Sequence, residues 1–175
     1  MNRLYIPLFL FLILVLEGVA TFFLPADLIM GELLIVPHWL LAGLVFVVLY
    51  YDSENTYFAL MYAVIFGLLF DMIYTSILGV YMFSYATVIY IIHLLKKMLH
   101  INFFSMILFH IIGIGAGDLL IYFVYNITDL VDMAWNDYLL DRLLPTIGLN
   151  LIFVLVIYPF LKKQLVKWRT TEQWK

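Results

Sequence analysis

Six apolar segments follow one another along this 175-residue chain, with only short polar breaks between them. They cover residues 4–24, 33–51, 57–74, 80–95, 101–125 and 143–161. Roughly 20 apolar residues of helix cross a bilayer core about 30 Å thick, so six spans consume most of the chain. The side-chain balance agrees, with 66% hydrophobic and 12% charged residues, against roughly 45–50% and about 25% in soluble domains. One soluble core cannot hide so much apolar surface. A water-soluble globule, a disordered chain and a nucleic-acid binder are therefore excluded. The expectation is an all-α integral membrane protein, one domain over residues 1–175. It is a bundle of six transmembrane helices with a short basic cytoplasmic tail.

The breaks carry turn chemistry: Pro25-Ala-Asp, Asp52-Ser-Glu-Asn, Thr75-Ser-Ile-Leu-Gly79, Lys96-Lys97, and a longer stretch over 126–142. Prolines 7, 25, 37, 145 and 159 fall near segment ends, where a missing N–H costs least. Trp39, Trp135, Trp168 and Trp174 also fall near ends, as an interfacial aromatic belt requires. With six spans, one side collects Arg3, Lys96, Lys97, Lys162, Lys163, Lys167, Arg169 and Lys175, leaving Arg142 alone opposite. The positive-inside rule then places both termini in the cytoplasm of a multi-pass plasma-membrane protein. Asp27, Glu32, Asp129, Asp132, Asp137 and Asp141 fall outside. The first segment continues past Glu17 without a small-x-small cleavage site, so it reads as an uncleaved span. The 126–142 stretch has an apolar face and reads as a short surface helix or a lid. Its Asn126-Ile-Thr128 sequon carries little weight.

Glu17, Asp71 and Asp118 lie inside predicted spans, where a charge costs at least about 2.5–3.5 kcal/mol. At about 1.5 Å per residue, they sit roughly 20, 21 and 25 Å from the inner ends of their helices. Asn150 also falls in the outer half. These groups either open a polar cavity or partner site to the outside, or pair with one another, with Arg142 and with loop N–H groups to fix packing. Arg142 stays protonated in essentially any environment. It either holds one of these acids ionised or pairs at the surface with Asp137 or Asp141.

The remaining signals exclude chemistry. There is no cysteine, and His38, His93, His100 and His110 lack metal-ligand spacing. Gly113 and Gly117 form a small-xxx-small face inside a span, with His110 nearly in line, which suits helix packing. No nucleophile is organised with a base, so neither an enzyme nor a cofactor is expected. The cations from Lys162 to Arg169 suit lipid headgroups or a cytoplasmic protein partner.

One run carries more specific information: Gly67-Leu-Leu-Phe-Asp71-Met-Ile-Tyr74-Thr75-Ser76-Ile-Leu-Gly79-Val-Tyr81-Met-Phe83. It resembles the signature of the bacterial rod shape-determining MreD family, in its Gram-positive-like form. There a Gly-x-x-x-Asp helix end precedes a short Ser/Thr turn and a Gly that opens the next span. Arg142-Leu-Leu-Pro145-Thr146-Ile-Gly-Leu-Asn150, ending near Pro159, gives a second match. The resemblance implies a non-catalytic component of the cell-elongation complex, supporting cell shape and lateral peptidoglycan synthesis. Its implied partners are an MreC-like single-span protein, an MreB-type filament, a SEDS glycosyltransferase and a class B transpeptidase. The implied fold is similar to the substrate-binding subunits of energy-coupling-factor transporters. That similarity supplies an alternative function, a small-molecule (vitamin) transporter subunit with a pocket open to the outside.

Overall fold

The architecture follows from one helix that has no face left for lipid or water. The computed structural model describes residues 4–23, 33–131 and 133–173. The described residues form helices and no strand: α1 (Tyr5–Phe23), α2 (Trp39–Tyr50), α3 (Phe58–Tyr74), α4 (Val80–Lys96), α5 (Phe103–Ile127) and α6 (Leu144–Gln173). Every residue of α2 from Leu40 to Tyr50 is buried, and α2 packs against all five other long helices. The surrounding helices each turn one stripe inward. On α1 the stripe is Ile6, Leu10, Ile13, Leu14 and Glu17; on α3 it is Ala59, Ala63, Phe66, Gly67 and Phe70. Their other faces are equally apolar, with Phe11, Met72, Phe83, Phe123 and Val156 exposed. Helices apolar all round suit a lipid surround rather than water. By length and composition, Phe103–Ile127 and Trp135–Thr170 are each long and apolar enough to cross a membrane; the other apolar helices are shorter.

The second apolar segment departs from expectation. It is expected to be helical from residue 33, yet residues 33–38 are non-helical and α2 begins at Trp39. Pro37 pushes Val36 out of the α region and contributes no N–H. The 12 residues of α2 span only about 18 Å, so both its ends lie deep in the bundle.

The last segment departs in three ways. Residues 135–143 do not form a separate surface helix. Trp135–Asp137 is one α-turn, Tyr138–Leu143 is π-helical, and both run directly into α6. Pro159 lies inside α6 rather than at its end, and the helix carries on through the basic residues to Gln173. Pro159 cannot donate to the Leu155 carbonyl one turn back, and it lies on the exposed face of the helix. Trp168 stacks on Tyr5, with ring centroids 5.7 Å apart, which ties the end of α6 to the start of α1. Arg3, Pro25, Asp27, Glu32, Asp132, Trp174 and Lys175 lie outside the described residues.

Candidate functional site

A short buried helix exposes its terminal N–H and C=O groups to an apolar surround, and each needs a partner. Around the N-terminus of α2 these partners come from distant helices. Glu17 of α1 accepts from the backbone N–H of Leu40 at 2.7 Å through Oε2. Asn150 of α6 accepts from the His38 N–H at 2.7 Å and donates to the carbonyl oxygens of Val36 and Thr146. The Thr146 hydroxyl accepts from the Val36 N–H at 3.1 Å, and the Leu34 N–H reaches the Asp141 carbonyl at 2.8 Å. The non-helical residues 33–38 are thus sewn to α6.

His38 joins this backbone junction to a buried ion pair. Its Nε2 lies 3.2 Å from Asp118 Oδ1. The tautomer that donates there leaves Nδ1 to accept from the Tyr85 hydroxyl, 3.2 Å away. Asp118 also accepts from the Tyr138 hydroxyl at 2.9 Å, and from Arg142 Nη2 at 3.0 Å and Nε at 3.3 Å. Residues four apart share a face of the helix, so Tyr138 and Arg142 both reach Asp118. Asp118 is fully buried and the Arg142 side chain is 14% exposed.

Asp71 makes a separate junction at the α3–α4 turn. Its carboxylate accepts from the backbone N–H groups of Gly79 (3.0 Å), Tyr81 (2.9 Å) and Met82 (3.0 Å), and from the Thr75 hydroxyl (3.3 Å). Asp71 therefore caps the first turn of α4 across the turn, where a helix N-terminus favours an anion. Gly79 sits in the left-handed region at φ +99°, which glycine adopts without steric cost. A Cβ on Gly67 would come 2.7 Å from Met82 Cα, so this glycine lets α4 lie directly on α3. Ser76 is exposed and contributes nothing to the cap described.

The C-terminus of α2 has its own pair. Lys96 Nζ donates to the carbonyl oxygens of Val48 and Asp52, each at 2.6 Å. Asp52 Oδ2 accepts from the Ala59 N–H at 3.0 Å and so caps α3. Glu17 at one end of α2 and Lys96 at the other thus supply partners to its terminal backbone groups. Gly113 and Gly117 face α2, where a Cβ would meet Val45 and Leu41. Pro145 lies in the first turn of α6.

Glu17, Asn150, Asp118 and Arg142 therefore meet around the start of α2, whereas Asp71 stands apart. Sequence reasoning overlooked His38, Tyr85, Tyr138, Thr146, Asp52 and Lys96 as parts of these junctions. For His38 a signal existed: a polar residue inside an apolar segment, directly after the proline that ends its extended stretch. Tyr138 had none, because its partner Asp118 lies on another helix, 20 residues away in the chain. Among the described residues no group of His, Cys, Asp and Glu is arranged to hold a metal ion.

The sequence model of the family described as rod shape-determining protein MreD matches residues 1–168. The chain belongs to the MreD family. A curated member, rod shape-determining protein MreD of Bacillus subtilis (strain 168), is 33% identical over 94% of this chain and 98% of its own length. No solved structure matches the chain. In this MreD-family chain the motif residues Gly67, Asp71, Thr75 and Gly79 build one local device, the cap and close packing of the α3–α4 turn. The second motif supplies Arg142, Thr146 and Asn150 to the α2 junction. MreD is a family of shape-determining membrane proteins rather than of enzymes, and membership places the chain in rod shape determination.

Proposed function

We propose that the chain is a non-catalytic membrane component of the cell-elongation complex. In this reading it supports lateral peptidoglycan synthesis by binding an MreC-like single-span protein and the wall-synthesis enzymes, alongside an MreB-type filament. The family match over almost the whole chain carries the reading. The geometry supports it as well. The polar side chains buried at the two ends of α2 and at the α3–α4 turn bond chiefly to backbone and to one another, so they build a rigid scaffold rather than a reaction site. The family match lends no support to the vitamin-transporter alternative.

The reading extends to membrane placement: six spans, a fold related to energy-coupling-factor substrate-binding subunits, and both termini in the cytoplasm. The α2 N-terminus and the α3–α4 turn then face outward, and Lys96 inward. Depletion from a rod-shaped host should round and widen the cells while division continues. Purification of the tagged chain from the same host should bring down a single-span, coiled-coil-bearing partner. Normal rods after full depletion overturn the proposal.

A further inference from the structure

Basic side chains gather where α4 ends. His93 and Lys96 lie in its last turn and Lys97 is its C-terminal cap; His100 follows in the short connection to α5. Only Lys96 helps to close α2, and its ammonium has a third hydrogen beyond the two given to Val48 and Asp52. The His93 ring holds the structure together. It is 2% exposed, donates from Nε2 to the Glu54 carbonyl oxygen at 3.3 Å, and packs on Tyr57 with ring centroids 4.5 Å apart. The α2–α3 loop is thereby pinned against the end of α4. Lys97 and His100 are exposed and belong to none of the junctions described above.

Between that loop and the α4–α5 connection lies a partly open cavity of about 320 Å³. Glu54, His93, Lys96, Lys97 and His100 line it, together with an apolar wall of Met98, Leu99 and Ile101. The volume exceeds by far the roughly 30 Å³ of one water. Lys96, Lys97 and Arg169, whose charge acts on Lys96, outnumber the acids in reach, Asp52 and Glu54. Exposed N–H donors with a positive excess are the chemistry of an anion site, and they repel a metal ion. Met98, Leu99 and Ile101 are exposed as well, so the same mouth offers contact to hydrocarbon. Basic pockets between helices at a membrane surface suit anionic lipid headgroups.

We propose that this cavity binds one anionic phosphate ester, with Lys97, His100 and the third Lys96 hydrogen as donors. The apolar wall favours a phospholipid as its carrier. The assignment is independent of the shape-determination reading.

The test uses the full chain in a neutral detergent, read by native mass spectrometry. Dioctanoyl phosphatidylglycerol is the probe. Dioctanoyl phosphatidylcholine, whose phosphate brings its own cation, is the control. The first equivalent of phosphatidylglycerol should bind at least about tenfold more tightly than phosphatidylcholine. Lys97→Gln should weaken it about tenfold. Lys163→Gln, which removes an exposed cation outside the cavity, should leave it unchanged. Glu54→Gln keeps the backbone carbonyl that His93 uses but removes the acid from the rim, and should tighten binding. All three positions are exposed, so the variants should fold. Equal affinity for the two lipids, equal loss in Lys97→Gln and Lys163→Gln, or no gain in Glu54→Gln overturns the proposal. Glycerol 1-phosphate as a competitor separates the sources of the phosphate. Displacement of phosphatidylglycerol at equal concentration supports the site and assigns it to a soluble phosphate ester. Retention of phosphatidylglycerol supports it and assigns it to a lipid headgroup.

Discussion

Without the guanidinium of Arg142, the Asp118 carboxylate would remain buried with the His38 ring and the Tyr138 hydroxyl as its partners. Breaking a buried pair on one side costs about 3–5 kcal/mol, because the remaining charge is uncompensated. Arg142→Gln should therefore lower stability by about that amount in a denaturation experiment on purified protein. Adding Asp118→Asn should recover part of the loss, and an additive double variant would refute the pairing. Asp71 poses a different problem, since its partners are backbone N–H groups. Asp71→Asn keeps one side-chain oxygen to accept from them and should be milder than Asp71→Leu, which leaves all three unpaired at about 1–3 kcal/mol each. Equal stability and wild-type rod shape in both variants would make the cap a bystander. Asp52, in the loop between α2 and α3, gives a pH signature. Burial pushes its carboxyl from 3.8 up to about 7, against the opposing pull of the Ala59 N–H and the Lys96 ammonium. The folded state then holds this proton more tightly than the unfolded chain does. Its contribution to stability is complete below pH 3.8 and is lost as the pH rises through about 7. Asp52→Asn should flatten that part of the melting-temperature profile, and an unchanged slope would refute it.

Between helices, contact depends on how closely backbones approach. At Gly67 the atom in the way of a Cβ is Met82 Cα, which is backbone and cannot rotate aside. Gly67→Ala should force α4 away from α3 and also loosen the Asp71 cap, at a cost of about 1–3 kcal/mol, the usual range for overpacking. At Gly117 the obstacle is the end of the Leu41 side chain, which can move, so Gly117→Ala should cost less. Thermal denaturation of the two variants side by side checks the order, and the reverse order would contradict the packing described. The same logic explains why α2 tolerates its short length. Its ends are closed by Glu17, Asn150 and Lys96 from α1, α6 and α4, so backbone groups stranded inside the bundle stay paired.

At the scale of the molecule, the proposed placement makes a direct prediction. A reporter fused after Lys163 should read cytoplasmic, and one inserted near Asp132 should read external; the same side for both would rule out six spans. The apolar runs and the turn residues between them marked the helices other than α2, because hydrophobicity and turn chemistry act over a few residues. That logic reached Asp71, whose partners lie within 11 residues of it. It also marked Glu17, Asp118, Asn150 and Arg142 as needing compensation, because a buried charge is costly wherever it sits. It did not assign their partners. His38 meets Asp118 across 80 residues of chain and Asn150 across 112, and Lys96 meets Val48 across 48. Nor did it place the start of α2, where the apolar run continues unbroken through residues 33–36 although the helix waits until Trp39. Hydrophobicity and local turn chemistry act over a few residues and are written in the sequence. Which buried groups neutralise one another depends on which helices become neighbours, and packing around α2 alone decided that.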